Sequence, residues 1–437
     1  MFVLVINSKI MKRDKLSVLI AWKNSNYRKP LILRGARQTG KTWLLKEFGK
    51  TCFRNFVYVN FEEHTSLQKL FENDFNITRI ITTLQIHSQQ TIQPNETLII
   101  LDEIQAAEKG MTSLKYIQEN APEYFVIAAG SLLGMGLHSN NSFPVGKVDF
   151  YDLRPMSFNE FLNAAGEDKL AEAIVNKEWD IVSIFHEKLN EYLRYYFFTG
   201  GMPEVVSIFI ETRNWELIRQ AQKNILYSYE SDFSKHAPSE IVPRLRMVWQ
   251  SIPAQLAKEN KKFVYGLLRE GARAKDFELA IQWLVDSGLL LKCYRIEKPH
   301  LPLIAYQDMS AFKLFLHDVG LLGAMAGLNA RTLIEGDKVF TEFKGAFTEQ
   351  YVMQQLVVKD NSYIGYWTNE RSTSEVDFVI QDEGRITPIE VKSGKNLRSR
   401  SFRLFYEKYK PETAIRTSPL KYKGEDWMTN IPLYGIM

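Results

Sequence analysis

Eight consecutive residues near the start of the chain combine two glycines, a lysine and a threonine at a spacing suited to phosphate binding. The glycines allow the backbone to wrap around phosphates, and the N–H groups of a following helix favour anions. We expect Lys41 to contact the β- and γ-phosphates and Thr42 to offer its hydroxyl to Mg²⁺. The motif therefore predicts a site for ATP and Mg²⁺. Its residues are Gly35, Ala36, Arg37, Gln38, Thr39, Gly40, Lys41 and Thr42, a full match to G-x-x-x-x-G-K-[ST].

Two acidic residues, Asp102 and Glu103, directly follow the apolar run at residues 98–101. Alone, such a pair is also typical of a helix start. Behind a phosphate loop, we interpret it as the second half of the nucleotide site. We expect Asp102 to hold Mg²⁺ through its water shell and Glu103 to activate the attacking water as general base. The sequence thus predicts ATP hydrolysis as well as binding.

Further polar residues are candidates for roles beside the γ-phosphate. Ser131 follows the fourth apolar run, and we assign it as a catalytic sensor, with a simple turn serine as the alternative. The arginine that stabilises the transferred phosphate is left open between Arg154 and Arg37. Surface charge exposed to solvent is the alternative for each of them.

A second group of charged residues lies in the last third of the chain. Asp377 is on one expected strand, and Glu390 and Lys392 lie on the next, where alternate side chains share a face. Glu349 precedes them on an expected helix. This is the layout of PD-(D/E)xK nucleases, in which the carboxylates chelate a metal and the lysine positions a water. The alternative is an interstrand ion pair in a nuclease-like domain that has lost its chemistry.

Basic residues are concentrated near this second group. Their density suits a phosphate backbone, so a DNA partner is one interpretation, and a solvated helix face is the other. A second basic cluster precedes residues 275–288, whose own acids disfavour insertion into a major groove. The first set is Lys392, Lys395, Arg398, Arg400 and Arg403; the second is Lys258, Lys261, Lys262, Arg269, Arg273 and Lys275.

The elements that must position these residues can be read from the apolar pattern. Continuous apolar runs that alternate with helical segments are typical of a parallel sheet with both faces buried. We also expect an extra strand between the two strands that carry the nucleotide motifs. The Gly-Gly-x-Pro segment at 200–203 predicts a turn, and we favour a helix–helix connector over a role near the nucleotide. The expected strands are 31–33, 56–61, 98–101 and 125–129, with a helix at 41–50.

Changes of pattern along the chain predict an α/β protein of four domains. Residues 1–156 form the phosphate-loop domain, and residues 157–242 a helical lid or connector. Residues 243–300 read as three helices and a hairpin, the pattern of a winged-helix module. Residues 301–437 form the α/β domain that resembles restriction endonucleases.

Composition limits the functional classes. The chain has 437 residues, a net charge of +4 and only two cysteines, which excludes a disulfide framework and indicates a reducing, cytoplasmic location. We find no apolar stretch near the ~20 residues that a membrane span needs. The mild positive charge permits a nucleic-acid partner without requiring one. Oligomeric state is left open.

Five segments in this order resemble a large prokaryotic family of AAA-type ATPases. Its members join a P-loop domain to a C-terminal domain of unknown function with a restriction-endonuclease-like fold. The resemblance spans nearly the whole chain and implies ATP binding, hydrolysis and a central winged-helix module. Gly146-Lys147 stands where related chains often have Gly-Arg. The segments are 35–42, 101–105, 129–131, 153–161 and the pair 375–378 with 388–394.

Two functions follow as hypotheses. In the first, the chain is a Mg²⁺-dependent ATPase whose nuclease-like domain acts on or binds DNA. In the second, it is a nucleotide-dependent switch whose inactive nuclease-like domain binds a protein partner. The sequence names no substrate for either.

Overall fold

The computed structural model describes residues 11–130, 146–258, 261–330, 341–358, 362–369, 373–394 and 397–436. The chain divides into two compact units. The first comprises residues 12–154 with 286–288, and the second residues 155–285 and 289–437. The first boundary lies two residues from the expected end of the phosphate-loop domain at 156. The expected four-domain division stays a prediction.

The first unit contains a parallel sheet of five strands in the order β2-β3-β4-β1-β5. β4 therefore lies between the two motif strands β1 and β3, which confirms the expected inserted strand. β5 was not expected, because its sequence Asp-Phe-Tyr-Asp lacks an apolar run. The strands are β1 (Leu31–Arg34), β2 (Asn55–Asn60), β3 (Thr97–Asp102), β4 (Phe125–Gly130) and β5 (Asp149–Asp152).

Both faces of this sheet are covered by apolar side chains. On β3, Leu98 and Ile100 pack in one core cluster while Ile99 and Leu101 pack in another. This explains the unbroken apolar runs, since a strand buried on both faces has no polar alternation. The helices of this unit are α1 (Lys15–Lys23), α2 (Lys41–Cys52), α3 (Ile77–Ser88) and α4 (Gly110–Asn120).

The second unit begins with a helical region. The turn at Gly200-Gly201 joins α8 to α9, so the connector interpretation is confirmed. Gly201 N–H donates to the buried Asp318 carboxylate at 2.6 Å, and Met156 N–H donates to Gly201 carbonyl at 2.7 Å. The helices are α5 (Phe158–Ala164), α6 (Asp168–Val175), α7 (Trp179–Ile184), α8 (His186–Thr199), α9 (Pro203–Thr212), α10 (Trp215–His236), α11 (Val242–Leu256) and α12 (Ala274–Asp286).

The second unit also contains an eight-stranded mixed sheet, in the order β12-β13-β11-β10-β9-β8-β6-β7. β6 and β7 form an antiparallel pair, and β6 also pairs with β8 in parallel. The hairpin of the expected winged helix is thus continuous with the C-terminal sheet across residue 300. Its strands are β6 (Leu290–Ile296), β7 (Gln307–Leu316), β8 (Tyr363–Thr368), β9 (Glu375–Asp382), β10 (Arg385–Val391), β11 (Ile415–Ser418), β12 (Lys423–Gly424) and β13 (Thr429–Pro432).

Three helices accompany this sheet. They are α13 (Val319–Met325), α14 (Thr341–Leu356) and α15 (Arg400–Tyr409). α14 contacts β7 and β10, and α15 contacts β9 through a cluster that contains Val376, Phe402 and Phe405. The order α14-β8-β9-β10-α15-β11 places the acidic strand and the Glu-x-Lys strand side by side. None of the helices in the described ranges is long and apolar enough to cross a membrane.

Candidate functional site

The phosphate loop runs from the end of β1 to the first turn of α2. Gly40 (φ 91°) and Gln38 (φ 64°) have left-handed backbone conformations. A Cβ on Gly35 would lie 2.3 Å from the Leu153 carbonyl oxygen, so only glycine fits there. The loop therefore directs its backbone towards the positive end of α2, where phosphate oxygens are stabilised.

Lys41 lies inside the loop rather than in solvent. Its Nζ donates to the carbonyls of Gly35 at 2.8 Å and Ala36 at 2.9 Å. Burial lowers the pKa of this ammonium to about 8, although Glu103 and Asp102 nearby oppose that shift. Lys41 is thus a desolvated positive charge inside the loop, as a contact to phosphate oxygens requires.

Asp102 lies at the carboxyl end of β3 and is buried. Its Oδ2 accepts a hydrogen bond from Thr42 Oγ1 at 2.7 Å, which brings the two expected Mg²⁺ residues together. The same oxygen accepts a second bond, at 2.9 Å, from the Tyr58 hydroxyl on β2. Tyr58 was missed in the sequence because this contact depends on the order of the strands. The donor set fits Mg²⁺, which prefers oxygen ligands.

Glu103 is half-buried beside these groups and has a left-handed backbone (φ 49°). Non-glycine residues rarely adopt this conformation, and they do so preferentially at functional sites. Desolvation raises the pKa of the Glu103 carboxyl, and a hydrogen bond from Gln105 Nε2 partly offsets the rise. A raised pKa makes a carboxylate a stronger base, as water activation requires.

The two arginine candidates are each close to an acidic side chain. Arg37 Nη2 lies 3.6 Å from Glu62, and Arg154 Nη2 lies 3.5 Å from Asp152. Both belong to the unit that carries the site, so the transition-state arginine stays open between them. Ser131 lies outside the described residues.

Arg13 is a residue that the sequence analysis did not find. It is buried, and its guanidinium donates to the Thr39 carbonyl at 2.8 Å and to the Arg154 carbonyl at 2.7 Å. These two hydrogen bonds connect the phosphate loop to the segment that follows β5. No motif marks this arginine, because its partners are main-chain atoms far along the chain.

We expect Tyr58→Phe to raise the Mg²⁺ concentration for half-maximal ATP turnover about 10-fold, because Asp102 loses an orienting donor. The maximal rate should change less, since Glu103 is untouched. Phosphate release at fixed ATP and varied Mg²⁺ measures both. Tyr27→Phe is the matched control, since Tyr27 is 91% exposed. If a folded Tyr58→Phe protein shows an unchanged Mg²⁺ dependence, Tyr58 does not orient Asp102 for metal binding.

The four charged residues expected at the C-terminal site are brought together in the second unit. Lys392 Nζ lies 2.7 Å from Glu390 Oε1, which also accepts from Ser399 Oγ at 2.7 Å. Asp377 Oδ2 accepts from the Val391 N–H at 2.7 Å. Desolvation, with the negative charges of Glu349 and Glu390, raises the pKa of Asp377 well above its usual value.

Two further lysines enter this cluster. Lys261 Nζ lies 2.5 Å from Glu349 Oε1, and Lys313 Nζ lies 3.5 Å from Glu349 Oε2. Lys313 also pairs with Glu375 at 2.5 Å. The expected metal ligand Glu349 is therefore already paired with cations. Across the described ranges, no group of three or more His, Cys, Asp or Glu residues is arranged to hold a metal ion. The cluster does not fit the expected nuclease metal.

The parallel sheet, the phosphate loop and the Asp102–Glu103 pair together define the first unit as a P-loop NTPase fold. Residues 27–162 match the family described as AAA domain. Residues 190–332 and 344–434 match two families described as domains of unknown function, DUF8612 and DUF4143. No curated protein matches the chain.

Several solved structures are similar. A Walker-type ATPase of Pyrococcus abyssi is 12% identical with a TM-score of 0.47, over 73% of this chain and 97% of that protein. The Orc1 protein of Aeropyrum pernix in complex with DNA is 13% identical with a TM-score of 0.30, over 71% and 90%. A signal-transduction ATPase with numerous domains and a tetratricopeptide-repeat sensor, from Pyrococcus horikoshii, is 13% identical with a TM-score of 0.29, over 81% and 46%.

Proposed function

We propose that this chain is a Mg²⁺-dependent ATPase. The observation that carries the proposal is the convergence of Lys41, Thr42, Asp102 and Glu103 at one edge of the parallel sheet. The Thr42–Asp102 hydrogen bond of 2.7 Å joins the two halves of this site directly. Desolvation raises the pKa of the Glu103 carboxyl beside these residues, which suits a general base.

In the proposed mechanism, the loop N–H groups and Lys41 hold the phosphates, while Thr42 and Asp102 would hold Mg²⁺. When bound, the metal neutralises charge that develops on the β- and γ-phosphate oxygens. Glu103 accepts a proton from water as the water oxygen attacks the γ-phosphorus. The bond from that phosphorus to the β–γ bridging oxygen breaks, which releases ADP and phosphate.

Phosphate release from ATP by the full chain tests the proposal. We expect turnover that requires Mg²⁺ and stops on addition of EDTA. A chain that binds ATP but releases no phosphate, with or without added DNA, would contradict hydrolysis and leave a nucleotide-binding switch.

We further propose that the C-terminal domain has the restriction-endonuclease-like fold and binds DNA. The helix and strand order α14-β8-β9-β10-α15-β11 supports the fold assignment. The exposed residues Arg398, Arg400 and Arg403 support the DNA partner. They lie around the first turn of α15, which contains no acidic residue. Arg403 pairs with Glu407 at 2.8 Å, and positive charges at a positive helix end favour a bound anion such as phosphate.

Replacing these three arginines by glutamine should weaken binding of duplex DNA about 10-fold or more and flatten its salt dependence. Fluorescence anisotropy of a labelled duplex at several salt concentrations measures both effects. The control replaces Lys169, Lys177 and Lys223, which are exposed on other segments, by glutamine. Equal losses in the two variants would indicate a general charge effect. Absence of any DNA binding would favour a protein partner.

A further inference from the structure

The carboxylates of the C-terminal cluster lie beside lysines that come from other parts of the second unit. Lys313 is on β7, and its side chain is 0% exposed. Lys261 precedes α12, and its side chain is 13% exposed. The Lys313 ammonium also lies 4.8 Å from the centre of the Tyr366 ring, a distance at which the ring face stabilises a cation.

We infer that Lys313 and Lys261 are built-in cations that take the place of the divalent metal a nuclease would hold at Glu349 and Asp377. A buried carboxylate is stable only with a compensating charge or hydrogen bonds. Here both Glu349 oxygens face an ammonium, at 2.5 Å from Lys261 and 3.5 Å from Lys313. The positive charge that a metal would supply to Glu349 therefore comes from lysine side chains of the protein itself.

The charges of the cluster support this inference. Three ammonium groups lie among the four carboxylates, and the ion pairs they form are with Glu349, Glu375 and Glu390. A divalent cation at Glu349 would have to displace one or both lysines, because like charges on the same oxygens repel each other. The carboxylates are Glu349, Glu375, Asp377 and Glu390, and the lysines are Lys261, Lys313 and Lys392.

The inference also explains the position of Lys392. In the expected nuclease it would position a water, but here its Nζ lies 2.7 Å from Glu390. The domain therefore keeps the nuclease-like arrangement of strands without a site for metal-assisted hydrolysis.

Manganese binding to the nucleotide-free full chain, measured by electron paramagnetic resonance, tests the inference. We expect wild type and Asp377→Asn to bind the same amount of Mn²⁺, since any metal at Asp102 is common to both. A stoichiometry that falls by one in Asp377→Asn would overturn the inference. Nicking of plasmid DNA by wild type in Mn²⁺ that is lost in Asp377→Asn would overturn it as well.

Thermal unfolding of Lys313→Met provides the second measurement. Removal of this cation should lower the midpoint by about 5 °C or more, and Mn²⁺ should recover part of the loss by replacing the missing charge. The control is Lys292→Met on the neighbouring strand β6, where the ammonium lies over the rings of Tyr294 and Phe312. A Lys313→Met protein as stable as wild type would overturn the inference. If Lys313→Met does not fold, the Mn²⁺ stoichiometry of wild type and Asp377→Asn still tests the inference.

Discussion

Glu103→Gln is expected to keep ATP bound and to lose at least about 100-fold in turnover, the usual contribution of a positioned general base. Glutamine has nearly the same shape as glutamate but cannot accept the proton of the attacking water. Lys41, Thr42 and Asp102 stay in place in this variant, and we expect loss of the Glu103 charge near Lys41 to change the affinity for ATP less than about threefold. Phosphate release and equilibrium binding of a fluorescent ATP analogue measure the two effects separately.

The matched control for this change is Glu108→Gln. Glu108 is exposed and lies five positions further along the same segment, so its substitution removes one negative charge without touching the site. Normal turnover in Glu103→Gln would show that another group activates the water. Loss of ATP binding in Glu103→Gln would show that the carboxylate maintains the loop rather than the chemistry.

Lys41→Ala should abolish measurable ATP binding, with an affinity about 100-fold lower or worse, because a desolvated charge pair is worth roughly 2–5 kcal/mol. The substitution also removes the donor that the Gly35 and Ala36 carbonyls share. Isothermal titration with ATP and Mg²⁺ measures the loss. Lys50→Ala is the control, since Lys50 is exposed on the same helix.

The pKa of Lys41 gives this prediction a pH dependence. Because burial lowers that pKa to about 8, the ammonium that attracts phosphate is present below this pH and is lost as the pH rises through it. Wild-type affinity for ATP should therefore decline above about pH 8, and residual binding by Lys41→Ala should lack this decline. A wild-type affinity that is constant from pH 7 to about pH 9.5 would show that Lys41 of the free protein keeps its proton over this range, which would contradict the lowered pKa.

The nucleotide site could be predicted from the sequence because its motifs consist of residues that are adjacent in the chain. The phosphate loop is continuous, and β3 is an apolar run that ends at Asp102. β5 was missed because it has only two aromatic residues between two aspartates, and among the described strands it pairs with β1 alone, at the sheet edge. Tyr58 and Arg13 were missed because each acts on a residue that only the folded sheet brings near.

The C-terminal half shows where local signals were insufficient. The spacing of Asp377 and Glu390 correctly placed the two acids on neighbouring strands, and Lys392, expected on the second strand, directly follows its end at Val391. It could not show that lysines from distant segments would reach the same carboxylates. One signal was present: Lys313 interrupts the otherwise apolar run at 311–316. A lysine in such a strand must be paired if it is buried, and this requirement predicts an acidic partner without identifying it.

A single-turnover experiment tests the central claim most directly. The full chain, in excess over radiolabelled ATP with Mg²⁺, is quenched at successive times, and the bound nucleotide is separated into ATP and ADP. We predict that wild type converts its bound ATP to ADP while Glu103→Gln retains ATP unchanged over the same period. Equal rates of conversion in the two proteins, or no conversion in either, would contradict hydrolysis at this site.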